Sequence, residues 1–335
     1  MAEVDFDPST INIICTAQVD TSLPKPLFEL ISKRSNINGP TLSNGSRYTG
    51  QLIDAPVHVD PPGRNLDINT EALTKILNTI QTNSVDIAVL MPTPNDGRYG
   101  GYVLGVTQRI ALDDLAPDKI KLFAGSNYIT YWLHQICHDE EVSYQLDDVL
   151  TQLSEDISSG DYAGVGEIGV LHFIKKPGQS LIAFRPNFAP FLDVVEEVAK
   201  HDLWLDLHIE PIDPDGVSYE DRAFGGLQLL FDRNPTLKVL YSHTAMTNPD
   251  NARRILETYP NVMMSIKPMG PTSSWMNLEP ILNSKGELYE DWAKLFEEMP
   301  DRFVIGFDAK SIRRSFTIAT YGTVIEQVRR LLGNL

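Results

Sequence analysis

The chain has 335 residues, 42% of them hydrophobic, enough to bury the core of one large domain or of two ordinary ones. It carries 28 Lys and Arg against 45 Asp and Glu, a formal net charge of −17. So acidic a surface repels phosphate backbones, and no run of about 20 apolar residues could form a membrane span. Neither nucleic acid nor a membrane is therefore expected as a partner.

The first residues are acidic where a secretory signal would carry Lys or Arg. We therefore expect a cytoplasmic protein, with export still open if a leader has been removed. The two cysteines, Cys15 and Cys137, are too few for a disulfide framework and match no zinc or redox spacing, so both are expected to be unbridged thiols.

Residues 1–50 do not continue the pattern of the rest of the chain. Residues 26–34 are compatible with a short helix, and residues 35–50 are rich in Asn, Gly and Ser, which is typical of a loop. We expect residues 1–50 to be an N-terminal arm packed on the domain formed by residues 51–335.

From residue 51 onward, short β-rich apolar runs alternate with longer amphipathic segments. Most runs are too apolar to have one face in water, which favours parallel strands covered by helices. The eight predicted strands are residues 51–59, 85–91, 120–124, 163–168, 203–208, 238–243, 262–266 and 302–307. The predicted helices are residues 70–82, 144–158, 187–200, 219–231, 249–259, 288–299 and 317–332.

This alternation predicts an α/β fold, a (β/α)8 TIM barrel with an N-terminal extension. A doubly wound open sheet is the alternative, but no Gly-rich dinucleotide loop follows the first strand. In a barrel of this kind, reactive groups lie at the C-terminal ends of the strands.

Five of the eight predicted strands end in a residue that can bind a metal ion. A single histidine in such a place is more often structural, but five metal-binding residues at the same end of their strands are harder to explain separately. Imidazole and carboxylate ligands together suit Zn²⁺, which we favour, or Mn, Fe or Ni, with one or two ions per chain. The five are His58, Glu167, His208, His243 and Asp308.

Three further residues are candidate contacts for a small-molecule substrate. Lys267 and Lys310 follow the seventh and eighth strands and could hold an anionic group, although surface lysine is the default reading. His172 follows Glu167 closely, in a predicted loop, and could reach the same ligand. The oligomeric state is open, with a homo-oligomer as one alternative.

The order of these motifs resembles the amidohydrolase superfamily, in particular its amidohydrolase-2-type and TatD-related branches. The first strand of that family typically reads Asp-x-His-x-His, and here Asp54-Ala55-Pro56-Val57-His58 stands in its place. The resemblance implies a metal-dependent hydrolase of esters, lactones, amides or phosphoesters. Its metal ligands would be His58, Glu167, His208 and Asp308, with Asp308 also moving the proton and His243 stabilising an oxyanion or serving as a fifth ligand.

Pro56 departs from the family pattern, because it stands where the first metal histidine would be and offers no side-chain ligand. A buried strand normally accepts proline only at an end or a bulge. The departure leaves two alternatives open beside the hydrolase. One is a metal-dependent decarboxylase of the amidohydrolase-2 type, and the other is a degenerate barrel that only binds.

Overall fold

The computed structural model describes residues 47–59, 70–92, 94, 118–137, 145–173, 182–185, 187–213, 217–243, 247–268, 281–310, 318–333 and 335. The predicted arm therefore lies almost wholly outside the described residues.

Eight parallel strands form a closed barrel, which confirms the predicted fold. Each pairs with the next along the chain, and β9 pairs back onto β1 through Asp54 and Ile305. Two short strands are added at the C-terminal end: β5 runs antiparallel to the end of β4, and β10 extends the edge of β1. The barrel strands are β1 (Ile53–His58), β2 (Ile87–Met91), β3 (Ile120–Gly125), β4 (Tyr162–His172), β6 (Trp204–Ile209), β7 (Lys238–Tyr241), β8 (Val262–Ile266) and β9 (Phe303–Ile305), and the added strands are β5 (Ile182–Ala183) and β10 (Ala309–Lys310).

Helices follow the barrel strands and cover the outside of the barrel. Among the described residues they are α1 (Thr70–Thr82), α2 (Ser126–Cys137), α3 (Leu146–Ser158), α4 (Ala189–Lys200), α5 (Glu220–Arg233), α6 (Pro249–Thr258), α7 (Glu290–Glu298) and α8 (Ile318–Leu332). The predicted helices at α1 and α8 agree with the structure within one residue, because each is a long amphipathic segment with clear ends.

The core has two layers. The smaller one fills the inside of the barrel with residues from all eight barrel strands, including Met91, Phe123 and Trp204. The larger one lies between the strands and the helices. Since both faces of every strand are covered by apolar side chains, the strands read as nearly continuous apolar runs in the sequence.

Two predictions of secondary structure are wrong. Helix α2 was not among the predicted helices, and it packs against β4 beside the barrel. Strand β4 was expected to end at Ile168 but continues to His172, because its last residues pair with β5.

Pro56 is accommodated at an irregularity in β1. The register between β1 and β2 shifts between Asp54 and Val57, and the Ala55–Pro56 peptide bond is cis. Proline removes one backbone donor, and the register shift lies where that donor is missing. Pro56 therefore lies at an irregularity of the kind at which a buried strand accepts proline.

Residues 47–50 pack on α8, chiefly through Arg329. Its buried guanidinium donates to the carbonyl oxygens of Tyr48 and Gly50 at 3.0 and 3.2 Å, and to that of Ser84 at 2.8 Å. The start of the described chain is thus tied to the helix that closes the barrel. The placement of residues 1–46 lies outside the described residues.

Within the described parts of the chain, no helix is both long and apolar enough to cross a membrane. Cys137 at the end of α2 is disulfide-bonded, so the expectation of a free thiol is wrong for this residue. The only other cysteine in the sequence is Cys15, which lies outside the described residues.

Candidate metal centre

Polar side chains gather at the C-terminal end of the barrel, as the fold class predicts. The sequence-predicted residues there come from six of the eight strands, and most are buried. His58 ends β1, Glu167 lies in β4, His208 lies in β6, His243 follows β7, Lys267 follows β8 and Asp308 follows β9.

The Glu167 carboxylate lies at the centre of this group. Its Oε1 is 2.5 Å from Nδ1 of His208 and 3.4 Å from Nε2 of His243, and its Oε2 is 3.4 Å from Nε2 of His58. Three imidazoles from three different strands therefore surround one carboxylate, with its two oxygens facing different partners.

The orientation of His58 is fixed by a backbone carbonyl. Its Nδ1 lies 3.2 Å from the carbonyl oxygen of Pro92, which can only accept, so Nδ1 carries the ring hydrogen. In the neutral ring, Nε2 then presents a lone pair to Oδ1 of Asp308 at 3.0 Å and to Glu167. Lone pairs facing one another in a buried site need a cation between them, either a proton or a metal ion.

Asp308 joins this group to the rim of the barrel. Its Oδ2 accepts a hydrogen bond from Nζ of Lys267 at 2.8 Å, and both side chains are mostly buried. Lys267 is therefore bonded to Asp308 within the site rather than extended into solvent. Lys310 is paired with His58 in the register of β10 and β1, but its side chain lies outside what the structure describes.

Glu210 belongs to the site, and sequence analysis missed it. Its Oε1 is 2.9 Å from Nε2 of His208 and 2.7 Å from Nδ1 of His172, and its Oε2 accepts from the backbone N–H of Phe173 at 2.9 Å. The sequence did carry a signal, because Asp206 and His208 alternate in β6 and Glu210 continues the alternation one residue beyond its end, which favours the same side for all three. His172 was expected in a loop, but it ends β4 and lies against His208.

Asp54 is turned away from the group around Glu167. It accepts hydrogen bonds from the hydroxyl of Tyr321 and from the backbone N–H of Phe307. Burial raises its pKa from 3.8 to about 7, against the lowering effect of these two hydrogen bonds.

Unusual backbone conformations at Gly166 and His243 help to position the groups around Glu167. Gly166 has φ +135°, and a Cβ there would lie 2.6 Å from the carbonyl oxygen of Asp206, so only glycine allows β4 and β6 to approach this closely. His243 has φ +60°, and its backbone N–H donates to Oγ of Ser265 at 2.8 Å, which holds its ring towards Glu167.

The pKa values of His208 and His243 are shifted in opposite directions. Burial and the charge of Lys267 lower the pKa of His243 to about 4, so its imidazole is neutral and can act as a ligand. Burial would also lower the pKa of His208, but the carboxylates of Glu167 and Glu210 raise it to about 9. Without a metal ion, His208 therefore holds a proton on each nitrogen.

The pKa values of the two neighbouring acids, Glu167 and Asp206, are also shifted in opposite directions. Burial alone would raise the pKa of Glu167, but the charge of His208 and the hydrogen bonds from the three surrounding histidines together keep it well below its usual range. Burial, together with the neighbouring Glu167 charge, raises the pKa of Asp206 well above its usual range, and Asp206 accepts from Oγ of Ser242 at 2.6 Å. Glu167 is thus the charged acid at the centre, whereas the pKa of Asp206 favours its neutral form and its recorded hydrogen bond is to Ser242.

The donor set fits a divalent metal ion. Glu167, His208 and His243 each offer one ligand atom, and these atoms lie within 4.8 Å of one another. His58 lies near the other oxygen of Glu167, and Asp308 in turn lies against Nε2 of His58. Imidazole and carboxylate ligands in a buried cluster are those that zinc, manganese and iron use in proteins.

No family model matches the chain, and no curated protein matches it. Solved structures do match. They include an uncharacterised TIM-barrel protein from Bordetella bronchiseptica (11% identity, 84% of this chain, 95% of that chain, TM-score 0.49). They also include a probable 2-pyrone-4,6-dicarboxylic acid hydrolase from Acinetobacter baumannii (13% identity, 83% and 92%, TM-score 0.45). A third is a dihydroorotase from Campylobacter jejuni (14% identity, 89% and 84%, TM-score 0.44).

Likeness at this level concerns the barrel and says nothing of the reaction. What this chain does has to be inferred from its own site.

Proposed function

We propose that this protein is a metal-dependent hydrolase of the amidohydrolase type, acting on a small ester, lactone, amide or phosphoester at the C-terminal end of the barrel. The observation that carries the proposal is the convergence on Glu167 of three imidazoles from three strands. The order of the motifs in the sequence supports the same reaction class.

The ligands of the ion would be His58, Glu167, His208 and Asp308, as the resemblance implies, together with His243. His243 suits this role because its pKa of about 4 leaves the ring nitrogen neutral. A divalent ion bound there supplies a Lewis acid that polarises the scissile bond and makes water a stronger nucleophile. We favour zinc and expect one or two ions per chain.

The other residues would bind the substrate and move protons. Asp308 would accept a proton at Oδ1, since its Oδ2 is held by Lys267. Lys267, whose side chain is 12% exposed, lies where it can also contact an anionic group of the substrate. Lys310 and His172 stay proposals as substrate contacts.

The experiment compares the metal content of the wild type with that of Glu167→Gln. The protein is stripped with a chelator, incubated with Zn²⁺, separated from free ion and analysed by mass spectrometry. We expect one or two equivalents in the wild type and a loss of at least tenfold in affinity for Glu167→Gln, because the amide keeps the shape and removes the central charge. Glu287→Gln is the matched control, since Glu287 is a hydrogen-bonded carboxylate outside the site.

Equal zinc binding by the wild type and Glu167→Gln would contradict the proposed centre. The loaded wild type is then assayed on a small panel of esters, lactones, amides and phosphoesters. Release of carbon dioxide from aromatic acids, without hydrolysis of any panel member, would favour the decarboxylase instead. Absence of any bound metal in the wild type would favour the binding protein.

A further inference from the structure

We propose that His172, His208 and Glu210 form a second binding face for a divalent transition-metal ion, beside the centre around Glu167. This face is not part of the ligand set implied by the family resemblance. The proposal does not depend on the reaction of the first centre, although the two share the ring of His208.

The three ligand atoms form a compact triangle. Nδ1 of His172 lies 2.7 Å from Oε1 of Glu210 and 3.2 Å from Nε2 of His208, and the third side, from Nε2 of His208 to Oε1 of Glu210, is 2.9 Å. Ligands about 2.1 Å from a metal ion and at right angles to one another lie about 3 Å apart. The triangle therefore has the size of one face of an octahedral site.

The chemistry of the face is specific. Two imidazoles and one carboxylate on a single face suit first-row transition ions such as Zn²⁺, Co²⁺ or Fe²⁺. A pair of histidine nitrogens only 3.2 Å apart is poorly explained as a direct bond, because each already has Glu210 as its acceptor. A single ion bound by both nitrogens and by Oε1 of Glu210 accounts for the close approach of the two nitrogens as well.

The surroundings of the face hold it in place and leave it open to solvent. The Glu210 side chain is 2% exposed, and its second oxygen is fixed by the backbone N–H of Phe173. His172 is 22% exposed, so an ion can enter from its side. Glu210 is therefore a fixed ligand inside the face, and His172 marks the side from which the ion would enter.

His208 serves the two centres with different ring nitrogens. Its Nδ1 stays directed at Glu167 at 2.5 Å, and its Nε2 faces Glu210. With both centres occupied, His208 would have released both ring protons to solvent and would bridge the two ions as an imidazolate, and His172 would have only to carry its hydrogen on Nε2 instead of Nδ1. The charge of Glu210 balances half of the charge of the ion.

The test counts Zn²⁺ equivalents in the full chain after chelator treatment and reloading. We expect His172→Ala and Glu210→Gln each to bind one equivalent fewer than the wild type. His243→Ala, which changes the first centre, should keep the equivalent that depends on His172. The matched control is His201→Ala, because His201 also faces a glutamate, Glu197, at 3.4 Å but lies at the end of α4, outside both centres.

The stoichiometry of His172→Ala decides the outcome. If it binds as many equivalents as the wild type and only the affinity falls, then His172 and Glu210 merely orient His208 and the second face does not exist. If His172→Ala loses one equivalent while Glu167→Gln loses none, the second face stands and the proposed first centre fails. Circular dichroism of each metal-free variant checks that it is folded, and the partly exposed His172 keeps the test usable if Glu210→Gln unfolds.

Discussion

Replacing Asp54 by asparagine should change how the stability of the protein depends on pH. The Asp54 carboxyl is 1% exposed, inside the barrel wall, where it accepts from Tyr321 and from the backbone of Phe307. Burial raises its pKa from 3.8 to about 7. The folded chain therefore keeps the Asp54 proton over a range in which the unfolded chain has lost it.

The sign and size follow from this difference. Between about pH 4 and pH 7 the unfolded state releases the proton and the folded state does not, so the free energy of unfolding falls as the pH rises. A difference of about three pKa units corresponds to about 4 kcal/mol, all of it lost by pH 8. The amide of Asp54→Asn has no proton to lose, so this part of the pH dependence disappears in the variant.

The assay is urea unfolding at pH 4, 5, 6, 7 and 8, followed by the fluorescence of the four tryptophans. The stability of Asp54→Asn relative to the wild type should rise by about 4 kcal/mol between pH 4 and pH 8. Because the comparison uses only how this stability difference changes with pH, any pH-independent cost of the altered hydrogen bonds cancels. The exposed Asp301→Asn is the control and should follow the wild type. Parallel curves for Asp54→Asn and the wild type would refute the buried, protonated carboxyl.

Two further predictions concern stability. Arg302→Met should lower the free energy of unfolding, measured in urea, by about 3 kcal/mol. The reason is that Arg302 makes four hydrogen bonds to backbone carbonyls of the α6–β8 segment. The control is Arg233→Met, which should change the free energy of unfolding little because Arg233 is exposed. Gly166→Ala should destabilise the protein by several times the cost of Gly160→Ala, which should be about 1 kcal/mol. Both glycines have positive φ, but only at Gly166 would a Cβ meet the backbone of Asp206. Equal melting temperatures for the two alanine variants would contradict the close approach of β4 and β6.

The sequence by itself determined the barrel. Strand and helix periods are local properties of the chain, and the apolar runs were long enough to mark eight strands in the right order. Helix α2 was not predicted from the sequence because it contains a run of β-branched and aromatic residues of low helix propensity: Ile129, Thr130, Tyr131 and Trp132. Its packing against β4 decides its conformation, and that contact is not local.

The sequence also supplied the chemistry of the candidate centre, because a residue at the C-terminal end of a barrel strand is placed by the fold. It did not give the contacts between side chains. The two oxygens of Glu167 face different histidines only because β1, β6 and β7 lie around β4 in the closed barrel. The metal ligation of these residues stays a prediction.

Glu210 and His172 show most clearly what tertiary structure alone decides. In the sequence Glu210 shows only its alternation with Asp206 and His208, and His172 looks like a histidine in a loop. Strand β4 continues to His172 only because β5 pairs with it, and β6 lies beside β4 at the height that brings Glu210 to His172. His172 and Glu210 are 38 residues apart in the chain, and these pairings are what bring them into contact.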